Sequence, residues 1–177
     1  GKEKEAARVV DKINSRLKSA GVTEVITVCP NCYYYLKPKL KVKVISIYEK
    51  LRELGIGTPI QEKDTYVFVP CPDRRSRQWL GLIEPFLPPD YTVIESVQCC
   101  GLGGCAGVKE PELAKGMSVR LKEEGWPNVY TYCGTCGGNM TRSGVNEVHH
   151  VLAEVVRSSE NADTKKSLWN RAVKKFK

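Results

Sequence analysis

The segment WPNVYTYCGTC (residues 126–136) restates the segment VTEVITVCPNC (residues 22–32). Each runs from a stretch rich in β-branched and aromatic residues, the composition of a pleated strand, straight into a C-x-x-C pair. At a shift of about 104 residues Leu17 falls on Leu121, Gly21 on Gly125, Val25 on Val129, Cys29 on Cys133, Cys32 on Cys136, Ile47 on Val151 and Leu51 on Val155. The sequence therefore holds two copies of one unit: a helix, a strand, a C-x-x-C turn and a second helix. Only the second copy has further cysteines ahead of it, Cys71 and the adjacent pair Cys99 and Cys100. Gly1 aligns with Cys105, just past the place where such a pair would stand, and the chain lacks an initiator Met. The first unit is expected to be incomplete, the chain starting inside it; a natural start codon directly before Gly1 would refute this.

The rest of the sequence alternates in the same way. GKEKEAARVVDKINSRLKSAG (1–21) sets Ala6, Val9, Val10, Ile13 and Leu17 at helical spacing and ends on Gly21, suited to a helix C-terminus. ISIYEKLREL (45–54) reads as a short helix, TYVFVP (65–70) as a strand, SRQWLGLIEPFL (76–87) as a helix and YTVIESV (91–97) as a strand. PELAKGMSVRLKEEG (111–125), with Pro111 in its first turn, and VNEVHHVLAEVVRS (145–158) read as helices. The predicted class is α/β. Residues 1–57 form the C-terminal part of a first unit, 58–158 a complete second unit and 159–177 a basic amphipathic C-terminal helix. The two units are expected to pair about a pseudo-two-fold axis, their cysteine loops facing a shared cleft. Each cysteine group lies just past a predicted strand, the edge of an open α/β sheet where ligand sites gather.

With 177 residues and 41% hydrophobic content the chain can bury a real core. No apolar run approaches the roughly 18–20 residues of a membrane span, and the charged first segment does not resemble a secretory signal. The expected compartment is the cytoplasm, where paired cysteines usually mean metal or redox chemistry. The net charge of +8 is concentrated in TKKSLWNRAVKKFK (164–177), which contains no acid. Interleaved aromatics on a basic face and a recognisable nucleic-acid module are both missing, so no nucleic-acid partner is expected.

If their loops share one sheet edge, Cys71, Cys99 with Cys100, and Cys133 with Cys136 are expected to bring sulfur from three separate loops to one place. Five thiolates exceed the four that tetrahedral zinc accepts, and adjacent cysteines do not easily reach one small ion together. An iron–sulfur cluster offers ligand positions spread over several irons, and GLGG (101–104) lets backbone approach it closely. A zinc site using four of the five, and a metal-free dithiol at either C-x-x-C, remain as alternatives.

A lone cysteine, a distant CCG and a distant C-x-x-C together resemble the CCG, or cysteine-rich, domain. That domain occurs in the disulfide-cleaving subunit of heterodisulfide reductase and in iron–sulfur subunits of glycolate, lactate and anaerobic glycerol-3-phosphate dehydrogenases. Residues 65–156 resemble one whole copy and residues 1–54 the tail of another. The resemblance implies a noncubane [4Fe-4S] cluster on Cys71, Cys99, Cys100, Cys133 and Cys136, with Cys29 and Cys32 as further candidate metal ligands. It implies an oxidoreductase subunit that cleaves a disulfide, or relays electrons between a flavoprotein or another iron–sulfur subunit and an acceptor. The lone cysteine of that family often lies in a His-Asp-Pro-Cys-His setting; this chain has VPCPDRR (69–75), which puts any role of those histidines in doubt.

Other features have plainer readings. Cys105 is expected to be a small buried residue or spare thiol, and His149 and His150 to be structural residues inside a helix. Arg74, Arg75 and Arg77 either bind an acidic substrate near Cys71 or face solvent at a helix end, the second being favoured. Tyr33, Tyr34 and Tyr35 shield a cluster or pack an interface. In the tail, Leu168, Trp169, Val173 and Phe176 among lysines suit peripheral contact with an anionic membrane or a partner protein, against a default of covering their own domain.

Overall fold

The computed structural model describes residues 2–104, 106–158 and 163–175; Cys105 and Phe176, and the side chain of Leu168, lie outside the described residues. The chain divides into two compact units, Gly1–Ile56 and Gly57–Lys177. Both are α/β with parallel strands only.

In the first unit α1 (Glu3–Ser19) leads to β1 (Glu24–Thr27), α2 (Pro30–Leu36), β2 (Lys43–Ser46) and α3 (Ile47–Glu53). Gly21 turns the chain out of α1 at φ +67°, a conformation that a Cβ would strain. β1 pairs with β2 in parallel, Val25 opposite Val44 and Thr27 opposite Ser46. The expected helix 45–54 loses its first two residues to β2. Ser46 is the turning point: its Oγ accepts from Glu49 N at 3.1 Å, and the Glu49 carboxylate accepts from Ser46 N at 2.7 Å. That reciprocal capping box starts α3 with no loop between strand and helix.

The second unit contains β3 (Thr65–Phe68), α4 (Gln78–Ile83), a 3₁₀ turn (Glu84–Phe86), β4 (Thr92–Val93), α5 (Ala106–Lys109) and α6 (Pro111–Glu123). It continues through β5 (Asn128–Thr131), α7 (Gly134–Arg142), β6 (Val148–His150), α8 (Val151–Val155) and α9 (Thr164–Lys175). The sheet order is β4-β3-β5-β6. Three expectations are corrected. The helix 76–87 breaks at Pro85 into α4 and a 3₁₀ turn, because proline cannot supply the next helical N–H. The strand 91–97 pairs only at Thr92 and Val93, with Ile94 N still reaching Val67 O at 2.9 Å. The helix 145–158 begins instead as β6, so His149 and His150 stand on a strand.

The internal repeat is exact in register. Val129 pairs with Val148 and Thr131 with His150, and each partner lies 104 positions after its counterpart in the β1–β2 pair. The two copies differ in what flanks them. β3 lies against β5 on the side away from β6, whereas the sheet of the first unit has two strands. Tyr130 and Tyr132 are 3% and 0% exposed; Ile26 and Val28, at the same places in the first unit, are 45% and 56% exposed.

The core around β5 gathers Phe68, Ile94, Val97, Leu121, Val129 and Met140 together with three cysteines, Cys100, Cys133 and Cys136. On α9, Trp169 is 69% exposed. No helix among the described residues is long and apolar enough to cross a membrane.

Candidate metal centre

Three loops leave the C-terminal ends of β3, β4 and β5, and each carries thiols. The first follows Phe68 through Val69 and Pro70 to Cys71, an exposed residue whose Sγ lies 3.9 Å from the carbonyl oxygen of Gln98. The second brings Cys99 and Cys100. Gly101 N–H donates to Cys99 Sγ at 3.3 Å, and the Cys100 carbonyl accepts from Asn139 Nδ2 at 2.6 Å and Ser118 Oγ at 3.3 Å. Gly101 has φ +85°, and a Cβ there would lie 2.3 Å from the Ala114 carbonyl oxygen. Only glycine lets the CCG turn press this closely on α6.

The third loop enters α7, with Cys133 as N-cap residue in extended conformation and Cys136 in the first turn. Thiols at these two places share the exposed N–H groups of the helix start. Cys136 is hydrogen bonded to both Cys100 and Cys133. The Cys136 hydrogen bond, opposed by burial, draws the thiols of Cys100 and Cys133 each down to about 6, with backbone N–H groups adding to the effect. Cys136 is pushed up by the same two bonds and by burial, so it keeps its own proton. Cys71 is pushed up to about 11, chiefly by burial of its sulfur and then by Cys99, with Arg74 pulling the other way.

The five expected donors therefore form two contacting groups, Cys71 with Cys99 and Cys100 with Cys133 and Cys136; the charge of Cys100 also acts on Cys71. Cys29 caps α2 as Cys133 caps α7, but Cys32 is exposed. No group of three or more His, Cys, Asp or Glu among the described residues is arranged to hold a single metal ion.

Two of the three arginines serve the fold. Arg74 Nη2 donates to Val69 O at 3.0 Å and Val97 O at 3.1 Å, and its guanidinium lies 5.3 Å from the Phe68 ring centroid. Arg77 pairs with Glu95, and Arg75 is exposed. Tyr33 is buried, its hydroxyl accepting from Lys37 Nζ, while Tyr35 is 45% exposed. His149 stacks on Tyr130 at 4.8 Å and its Nδ1 lies 3.2 Å from Glu154 Oε1; His150 is held below its usual range by burial. Sequence reasoning missed Asp73, Ser118, Asn139 and Tyr132. Asp73 had a signal, an acid six residues ahead of a buried tryptophan at a helix start, whereas Asn139 is marked only by the fold that sets it against Cys100.

No curated protein matches the chain. Among solved structures, glutamate racemase isoform RacE1 from Bacillus anthracis is similar with a TM-score of 0.44 and 11% identity over 95% of this chain and 66% of that one, a likeness too slight to carry an argument. The stretch holding Cys99, Cys100, Cys133 and Cys136, residues 90–141, matches the model of the CCG family, described as a cysteine-rich domain.

Proposed function

We propose that the chain is an iron–sulfur redox protein resembling the disulfide-cleaving subunit of heterodisulfide reductase, with a noncubane [4Fe-4S] cluster held by Cys71, Cys99, Cys100, Cys133 and Cys136. The observation that carries this reading is the convergence of thiols from three loops into two groups, in one of which Cys100 and Cys133 are drawn below the usual thiol range by their hydrogen bonds to Cys136. Three features fit such a group. The donors are soft sulfur ligands from three loops, more of them than one tetrahedral ion takes. The Gly101 turn leaves room for backbone N–H groups to approach sulfur, as it already does at Cys99. Arg74 Nε is a buried donor with no hydrogen-bond partner among the described residues, and its charge acts on Cys71.

When bound, a cluster of this kind supplies one-electron reducing equivalents. The chain's own part is to hold the donors. Asn139 and Ser118 fix the Cys100 carbonyl, α7 presents Cys133 and Cys136, and the apolar core behind them keeps water away. Electrons would come from a flavoprotein or another iron–sulfur subunit, in the cytoplasm or beside a membrane reached through the basic C-terminal helix. Reducing one disulfide takes two electrons and two protons, giving two thiols.

The test is iron, zinc and acid-labile sulfide per chain in protein purified without oxygen, with Cys99→Ser beside it. About four irons with equal sulfide, lost in the variant, support the proposal and lead to assays of disulfide reduction against transfer to an external acceptor. One zinc without sulfide overturns it in favour of a structural zinc site.

A further inference from the structure

We propose that Asp73 and Arg74 are positioning residues. From the loop that carries Cys71 they fix the other two thiol-bearing loops, Asp73 through Tyr132 and Arg74 through Val97. The inference rests on the reading of the five cysteines as one donor set.

The sheet alone cannot hold the donors in place. The β3–β5 ladder ends at Phe68 opposite Thr131, and the β3–β4 ladder ends at Val67 opposite Val93. Every thiol lies beyond those last pairs, where strands usually splay. Asp73 and Arg74 replace the missing ladder bonds. The Asp73 carboxylate is fully buried and accepts from Trp79 N at 3.0 Å, Leu80 N at 2.9 Å, Ser76 Oγ at 3.4 Å and Tyr132 Oη at 2.6 Å. A six-residue helix such as α4 needs only a short polar cap, which an exposed serine would supply. A fully buried carboxylate is costly, and here it also spans 59 residues to reach the tyrosine directly before Cys133. Arg74 does the same for the CCG loop. One Nη2 bridges Val69 O, past the end of β3, to Val97 O, two residues before Cys99, and the guanidinium lies over the Phe68 ring. Two adjacent side chains thus set the spacing of three loops.

The experiment compares wild type with Tyr132→Phe, Arg74→Met and Ile83→Val. Ile83 is fully buried in α4 and makes none of the bonds that join the thiol loops, so Ile83→Val controls for lost stability alone. In reduced, metal-free protein, alkylation by N-ethylmaleimide is followed cysteine by cysteine by mass spectrometry. Tyr132→Phe is expected to speed labelling of Cys133, and Arg74→Met that of Cys99, each about tenfold, as when one buried hydrogen bond is lost from the closed state. Cys29 and Cys32 keep their rates, and Ile83→Val leaves all rates within about twofold of wild type. Titration with Co²⁺ alone, read by thiolate-to-cobalt absorbance, is expected to weaken about 10- to 100-fold in both clamp variants and not in Ile83→Val. Unchanged labelling in both clamp variants, or equal changes in Ile83→Val, overturns the proposal. If wild type takes up no Co²⁺ through its thiols, the donor reading fails, while the labelling still decides the clamp.

Discussion

Replacing Gly101 by alanine tests the close approach on which the CCG turn depends. Two costs are expected. The residue has φ +85°, and holding alanine in that region costs about 1–2 kcal/mol. The new Cβ would also lie 2.3 Å from Ala114 O, 3.0 Å from Ser118 Oγ and 3.2 Å from the Ala114 carbonyl carbon, so backbone rather than a flexible side chain must give way. Overpacking of that kind costs about 1–3 kcal/mol more, for a total of about 2–5 kcal/mol. Gly125→Ala is the matched comparison, since Gly125 has φ +68° and the nearest atom to its added Cβ is Glu123 O at 3.9 Å; it should cost only about 1–2 kcal/mol. The assay is urea unfolding of metal-free, reduced protein followed by tryptophan fluorescence. All three tryptophans, Trp79, Trp126 and Trp169, lie beyond Gly57, so the signal reports the second unit alone. Equal losses in the two variants would refute the close contact between the CCG turn and α6.

Cys136→Ala removes the neighbour whose hydrogen bonding lowers Cys100 and Cys133, and their thiols should titrate higher than in wild type, read by thiolate absorbance against pH. Because the folded thiols of Cys100 and Cys133 lie near 6, below the value of about 8.5 in an unfolded chain, the folded state binds fewer protons across that window. The stability they contribute is present above about 8.5 and lost as pH falls through 6; Cys100→Ser or Cys133→Ser should flatten this slope in urea midpoints. Cys71, at about 11, works in the opposite sense, and its contribution is lost as pH rises from about 8.5 through 11. Val28→Thr, at a 56% exposed position, should change stability by less than about 0.5 kcal/mol, whereas Tyr132→Phe, which removes a bond to a buried carboxylate, should cost about 1.5–3 kcal/mol by the same urea titration.

The parts of the fold legible in the sequence were those with a local signature. β1 and β5 announced themselves by β-branched and aromatic runs, whereas α2 and α7, which start at the C-x-x-C pairs, were read only as turns. β2 and β6 were hidden because each is four residues or fewer and passes into a helix without a glycine or proline break. In ISIYEKLREL the capping serine sits inside what reads as continuous helical periodicity. The cysteines were legible because thiols are rare and their spacing carries chemistry. Asp73, Tyr132 and Asn139 were not, since each acts through a contact between residues distant in sequence. Arg74 was visible but misjudged, because a charged residue beside a cysteine reads as solvent-facing until two carbonyls are found on its guanidinium.

The identical register of the two strand pairs bears on how quickly each part of the molecule folds. β1 meets β2 by pairing Glu24 with Lys43 across one short helix, a contact of low sequence separation. β3 must instead find β5 by pairing Thr65 with Asn128, closing a loop that contains β4 and three helices. Loop-closure entropy has to be met before that pairing yields any contact energy, so non-local strand pairs form late. On sequence separation the βαβ half built from β1 and β2, and its counterpart from β5 and β6, are expected to form before β3 joins β5. The thiol-bearing loops after β3 and β4 would then reach the C-x-x-C of β5 only in that later step, and the contact between Cys100 and Cys136 is expected to report it.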